Sequence, residues 1–308
     1  MHKATYGKGW ITAFGPGKLI LLGEHGVVYG HPALAAPISR GVWVRAKPAN
    51  ELKLQSPPGL SPAQQDALNR AFTKVAACTK CSELSIHLDS DLPLSVGLGS
   101  SGALAVAVSR VLLEARYACP PDTRHVEELA LEMEKEFHGT PSGVDHITSS
   151  RGTMIVYQGG HAREVQAKES MKMLVALVGP RQSTSALVES LRRRYAEQPA
   201  HYEKLFMEMA RLVGDGVEAT TRGDFRALGI AMNHNQDLLR AIGLSSERIE
   251  AMIHRLRSMG ALGAKLTGGG GDGGAVIGLF VDPEHAVTQL RQEGIDCFTS
   301  QLLRARVL

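Results

Sequence analysis

Cysteine is scarce: four residues in 308 cannot build a disulfide framework, and the compartment to expect is the cytoplasm. Cys78 and Cys81 form a single C-x-x-C. Without a second pair, or a histidine pair at finger spacing, a structural zinc site would have half its ligands. The twelve histidines are scattered and no H-E-x-x-H occurs. An excess of one charge is lacking too. Lys+Arg number 34 against 31 Asp+Glu, a formal net charge of +3, too weak to argue for nucleic acid or an anionic membrane as the main partner. No stretch approaches the roughly 20 apolar residues of a membrane span. The lysines between Met1 and Trp10 have no apolar segment behind them, so no secretory signal is expected. Repeats and low-complexity tracts are also missing.

What remains is the balance of an ordinary folded protein, 44% hydrophobic and 21% charged, with a length that suits two cores of roughly 150 residues each. Trp10–Phe14, Lys18–Leu22, Val42–Lys47, Glu51–Gln55, Leu84–Leu88 and Thr153–Tyr157 read as strands. Ser61 caps a helix to about Ala77, with Pro62 in the first turn; Ala103–Arg116 and Thr123–Phe137 are helical in composition. After Gly159-Gly160 the texture changes. A strand at Met173–Val178 precedes four helices, about 184–196, 200–222, 224–241 and 246–259, punctuated by Pro199, Gly223 and Gly243. A strand at Ala275–Val281, a short helix at Pro283–Gln292, and strands at Cys297–Gln301 and Arg304–Val307 close the map. The expectation is two α+β halves, 1–160 and 161–308.

Three glycine-containing segments carry the chemistry. In Gly15-Pro16-Gly17-Lys18-Leu19-Ile20-Leu21-Leu22-Gly23-Glu24-His25, an apolar strand has polar groups at both ends; alone it reads equally well as an edge strand between two tight turns. Pro93-Leu94-Ser95-Val96-Gly97-Leu98-Gly99-Ser100-Ser101-Gly102-Ala103 runs straight into an apolar helix. Glycines let backbone approach a ligand, and a helix N-terminus offers N–H groups and a positive dipole end, so phosphate is the natural guest. A dinucleotide site is excluded, because the segment lies nearly a hundred residues into the chain and the acid about 20 residues on, Asp122, starts a helix. A Walker A loop fails because no Lys-Ser/Thr follows the glycines. The third segment, Lys265-Leu266-Thr267-Gly268-Gly269-Gly270-Gly271-Asp272-Gly273-Gly274, has six glycines among seven residues. With an apolar strand following at once, it reads as a backbone clamp rather than a linker. Between the second and third, Glu134-Lys135-Glu136-Phe137-His138-Gly139-Thr140-Pro141-Ser142-Gly143-Val144-Asp145 sets an acid near the end of one helix and Asp145 at the start of the next. Alone, Asp145 is better explained as a residue that favours a helix start.

In this order the segments resemble the GHMP small-molecule kinases, named for galactokinase, homoserine kinase, mevalonate kinase and phosphomevalonate kinase. The P-x-x-x-G-L-G-S-S and K-L-T-G-G-G loops are family-wide marks, and the likeness spans residues 13 to 280. Gly17 to Glu24-His25, followed by Gly26-Val27-Val28-Tyr29-Gly30-His31-Pro32-Ala33, is similar to the branch that phosphorylates mevalonate, as are Pro141 to Asp145 and Ser183-Thr184. The resemblance implies a two-domain α+β fold, a ribosomal protein S5-like N-terminal half and a ferredoxin-like C-terminal half, with the site between them. ATP would lie on Gly97, Leu98, Gly99, Ser100, Ser101, Gly102 and Ala103, with Gly268 near the transferred phosphate. Ser101 and Glu134 match the family's Mg²⁺ ligands, Asp145 its catalytic base and Lys18 the lysine beside it. Glu24, His25, Ser183, Thr184 and Thr267 fall on the substrate side.

Two residues depart from the family pattern: Gly102 stands where Ala is usual, a minor change, and Asp272 adds a negative charge to a loop that is usually neutral or carries Arg. A carboxylate aimed at the γ-phosphate would oppose the reaction, so Asp272 is expected to face solvent. The implied reaction is ATP-dependent phosphorylation of (R)-mevalonate at its 5-hydroxyl, with Mg²⁺ as cofactor. The implied partners are mevalonate and ATP, with a homodimer left open and neither nucleic acid nor membrane involved. Two alternatives stay open: the same chemistry on another small alcohol, and a ligand sensor without turnover, against which the intact Lys18, Glu134 and Asp145 argue.

Overall fold

The computed structural model describes residues 9–302 apart from 57–58, 94–95 and 180–183. The first sheet grows around two long strands, β1 (Ile11–Leu22) and β2 (Ala33–Pro48), antiparallel from Ile11↔Ala46 to Leu22↔Leu34. The other edge of β2 is shared. Its second half pairs with β4 (Leu84–Ser90), which carries the short parallel strand β3 (Lys53–Gln55). Its first residues pair with β5 (Ile155–Gln158), and β6 (His161–Glu164) follows. The two strands expected at 10–14 and 18–22 are therefore one strand, with its register shifted between Pro16 and Lys18. A bulge of this kind re-aims the side chains beyond it.

Of the helices α1 (Pro62–Thr79), α2 (Ser100–Tyr117), α3 (Thr123–His138) and α4 (Val144–Arg151), α2 and α4 pack on this sheet, and α1 and α3 pack on each other and on α2. Ser61 caps α1 as expected, in a reciprocal capping box with Gln64. Most of α2 is buried, from Gly102 and Ala103 through Val108 and Leu112 to Ala115. A helix apolar nearly all round suits an element wedged between β1, β2, α3 and α4.

The second sheet is antiparallel throughout: β7 (Met171–Leu177), β8 (Gly263–Thr267), β9 (Ala275–Phe280) and β10 (Cys297–Leu302) lie in the order β10-β7-β9-β8. With α9 (Glu284–Gln292) before the last strand, this is the ferredoxin-like arrangement. The crossover from β7 to β8 is expanded into α5 (Thr184–Glu197), α6 (Pro199–Arg222), α7 (Phe225–Ala241) and α8 (Glu247–Ser258). The strand expected at 304–307 lies outside the described residues. The end of β1 meets β8, α6 and α7, so the two sheets join beside the first and third glycine segments.

Candidate active site

The bulge in β1 delivers Lys18 into a nearly closed position, and its Nζ lies 3.1 Å from Asp145 Oδ1. Asp145 stands in the first turn of α4, and its side chain is 28% exposed, so the carboxylate keeps an open side toward a ligand. The Lys18 N–H donates to Leu98 O at 2.8 Å, tying β1 to the phosphate loop. Gly102 explains how closely these parts approach. A Cβ there would sit 2.9 Å from the carbonyl carbon and Cβ of Asp145 and from the His146 nitrogen. The glycine expected to be a minor departure thus lets α2 reach the base-bearing turn.

Gly99, in the left-handed region at φ 72°, starts α2, and Ala103 N–H closes the first helical bond onto Gly99 O. The N–H groups of the first turn are those a helix cannot pair internally, so Ser100, Ser101 and Gly102 present an anion site. Glu134 on α3 faces this turn. Its residue is 2% exposed and its Oε1 has no hydrogen-bond partner among the described residues. Burial first, and the charge of Asp145 second, push its carboxyl up to about 8, against a hydrogen bond from Ser101 and the charge of Lys18. An orphaned carboxylate oxygen next to a serine oxygen is a donor set that a hard cation would satisfy. Among the described residues no cluster of three or more His, Cys, Asp or Glu could hold a metal alone. Mg²⁺ keeps waters and substrate phosphates among its ligands, so one or two protein oxygens are enough for it.

The substrate-side residues are placed less uniformly. His25, buried at φ 59°, turns its Nε2 to Gly269 O at 3.1 Å, joining the end of β1 to the third glycine segment. Thr267 Oγ1 is engaged with the backbone of Ile20, accepting from its N–H and donating to its carbonyl, both at 3.1 Å. Gly268 packs on the backbone of the second glycine segment, since a Cβ there would lie 2.9 Å from Gly97. Glu24, also expected on the substrate side, is built into the join between the two sheets. It is wholly buried; Lys265 Nζ pairs with one carboxylate oxygen and Asn235 Nδ2 donates to the other at 3.1 Å. Both oxygens are engaged, and through them Glu24 ties β1 to β8 and α7. Burial raises the Glu24 carboxyl and lowers the Lys265 ammonium, each opposed by its partner.

Ser183 lies outside the described residues, and Thr184 opens α5. Asp272 is exposed. Three residues that bond to these groups went unread in the sequence: Lys265, Asn235 and His138. A lone Lys inside an apolar strand before a glycine loop was a signal for the first. A histidine four residues after Glu134, hence on the same helix face, was a signal for the last. Asn235, which also accepts from Gly23 N–H at 3.1 Å, gave none.

A helix start with free N–H groups, a buried acid beside a serine and a Lys–Asp pair are parts that a kinase of small alcohols would use. The model of the GHMP kinase N-terminal domain matches residues 66–153 and that of the C-terminal domain residues 217–296. The mevalonate kinase of Pyrococcus abyssi is 32% identical over 297 residues, covering 85% of this chain and 87% of that protein. That of Aeropyrum pernix is 34% identical, with 88% and 89% covered. Among solved structures, L. major mevalonate kinase in complex with R-mevalonate superposes with a TM-score of 0.87 at 28% identity, over 99% of both chains. The chain belongs to the GHMP kinase family, and the relatives it matches here are mevalonate kinases.

Proposed function

We propose that this protein transfers the γ-phosphoryl group of ATP to the 5-hydroxyl of (R)-mevalonate. The observation that carries the reading is the Lys18–Asp145 pair, set by Gly102 against the N-terminal turn of α2. Phosphoryl transfer asks for in-line placement, neutralised phosphate charge and a place for the hydroxyl proton. The α2 N-terminus receives the phosphates, and Gly268 brings the third glycine segment against the same loop. Asp145 accepts the proton of the hydroxyl as its oxygen bonds the γ-phosphorus and the bond to the β-phosphate oxygen breaks, releasing ADP. Lys18 holds the carboxylate in place and turns its ammonium to the same oxygen. Ser101 and Glu134 would hold Mg²⁺, which when bound neutralises the phosphate oxygens. His25 stands on the acceptor side, with Thr184 at the start of α5.

The working unit comprises both halves, 1–160 and 161–308, because the site lies where β1, α2 and α4 meet the loop after β8. Mevalonate and ATP are its partners, and its compartment is the cytoplasm. Among the described residues no helix is long and apolar enough to cross a membrane. The test is ADP release across a panel of alcohols: (R)-mevalonate, 5-phosphomevalonate, galactose and homoserine. Mevalonate should be preferred, with the new phosphate on the 5-oxygen by phosphorus NMR; preference for another acceptor would overturn the assignment. Asp145→Asn should still bind ATP yet lose roughly 10²-fold or more in turnover, the scale of general-base removal. Wild-type turnover in that variant would remove Asp145 from the mechanism.

A further inference from the structure

His138 closes α3 one turn after Glu134, so the two side chains leave the same face of the helix. Its Nε2 lies 3.0 Å from Ser101 Oγ, in the first turn of α2. The Ser101 hydroxyl therefore sits between the buried Glu134 carboxyl and the His138 ring, at the start of the phosphate-binding helix. Beyond His138 the chain turns at Gly139, φ 66°, and reaches Asp145 within six residues. The ring thus stands where the cation side of the site joins the segment that carries the base.

We propose that His138 is a positioning residue for the divalent cation, orienting the Ser101 hydroxyl so that its oxygen faces the Glu134 carboxylate. The inference rests on the kinase reading and deepens it. A serine oxygen that gives a lone pair to a cation needs an acceptor for its proton. The imidazole nitrogen 3.0 Å away supplies one, as outer partners of metal ligands commonly do. The proposed role of the ring is carried by its contact with Ser101.

The experiment measures binding rather than turnover: calorimetric titration of the full chain with AMPPNP at saturating Mg²⁺ and again in EDTA. His138→Phe keeps the ring volume and removes both nitrogens. It should weaken the Mg²⁺-dependent complex about tenfold, the lower end of outer-partner losses, and leave metal-free binding within about twofold. His138→Gln, whose amide can accept or donate, should recover most of the loss. In steady-state assays the Mg²⁺ concentration for half activity should rise in His138→Phe while the KM for the acceptor alcohol stays unchanged. Equal losses with and without Mg²⁺, or no recovery by Gln, would overturn the positioning role while leaving the kinase reading intact. Wild-type protein that binds no Mg²⁺–AMPPNP at all would overturn both.

Discussion

Lys265→Met should expose how the two halves are joined. In the native fold Lys265 and Glu24 are both wholly buried and paired, with Asn235 on the second Glu24 oxygen. Losing the ammonium leaves a carboxylate with no cation in a dry site, a change that typically costs about 3–5 kcal/mol. A limit follows from the proton. The Glu24 carboxyl can be neutralised instead, and at pH 7, starting from its ordinary 4.5, that costs about 3.4 kcal/mol at 1.36 per unit. The destabilisation should therefore depend on pH. A carboxyl whose folded-state pKa is raised contributes stability that is fully present below about 4.5 and lost as pH rises. The gap between wild type and Lys265→Met should accordingly widen as pH rises above 4.5, because the variant lacks the cation that opposes the burial-driven rise of the Glu24 carboxyl. Urea unfolding at several pH values measures this, and near pH 7 the melting temperature should fall by roughly 7 °C. In the double variant Glu24→Gln/Lys265→Met the loss should be smaller than the sum of the single losses and flat with pH. Additive losses that do not move with pH would refute the argument, because they would mean that the two charges do not meet in a closed site.

Glu134, with its carboxyl pushed up to about 8, follows the same sign. It is protonated in the fold and ionised in the unfolded chain between 4.5 and about 8, so its contribution to stability fades as pH rises through that window. Glu134→Gln without nucleotide should gain on wild type by roughly 2 kcal/mol from pH 6.5 to 9 while needing more Mg²⁺ for half activity. A pH-independent difference between the two proteins would count against the burial argument. Gly102→Ala forces a methyl to 2.9 Å from the Asp145 backbone and should lower kcat roughly tenfold or more by displacing the base. AMPPNP affinity should hold within about threefold, and an unchanged kcat would show that α4 yields freely. Asp272→Asn should alter turnover and the KM for ATP less than about threefold, since the carboxylate is exposed; a tenfold change either way would place its charge in the site.

Elements dictated by neighbouring residues were legible in the sequence, and those dictated by distant partners were not. Ser61-Pro62 announces α1 because a cap is settled within four residues. β2, by contrast, contains Pro37 and Gly41, which read as interruptions. It survives them because 36–41 has no strand on its other edge, β5 covering 33–35 and β4 beginning at 42. The N–H that proline lacks is therefore not missed there. β8 is short and carries a charge, so nothing local marks it. Its lysine is tolerated only because Glu24, 241 residues away, is buried against it.

Glu24 also shows what a motif alone does not give. A motif fixes that a carboxylate belongs at that position, whereas burial decides what it touches. Here it touches Lys265 and Asn235, while the next residue, His25, is held at φ 59° with its ring on Gly269. A non-glycine residue in that region costs on the order of 1 kcal/mol or more, and persists only where its surroundings hold it on both sides. The Glu24 pair on one side and the glycine loop on the other do so. Glu24 thus fixes the turn that carries His25, and a substitution that preserves this turn should keep the His25 ring on Gly269.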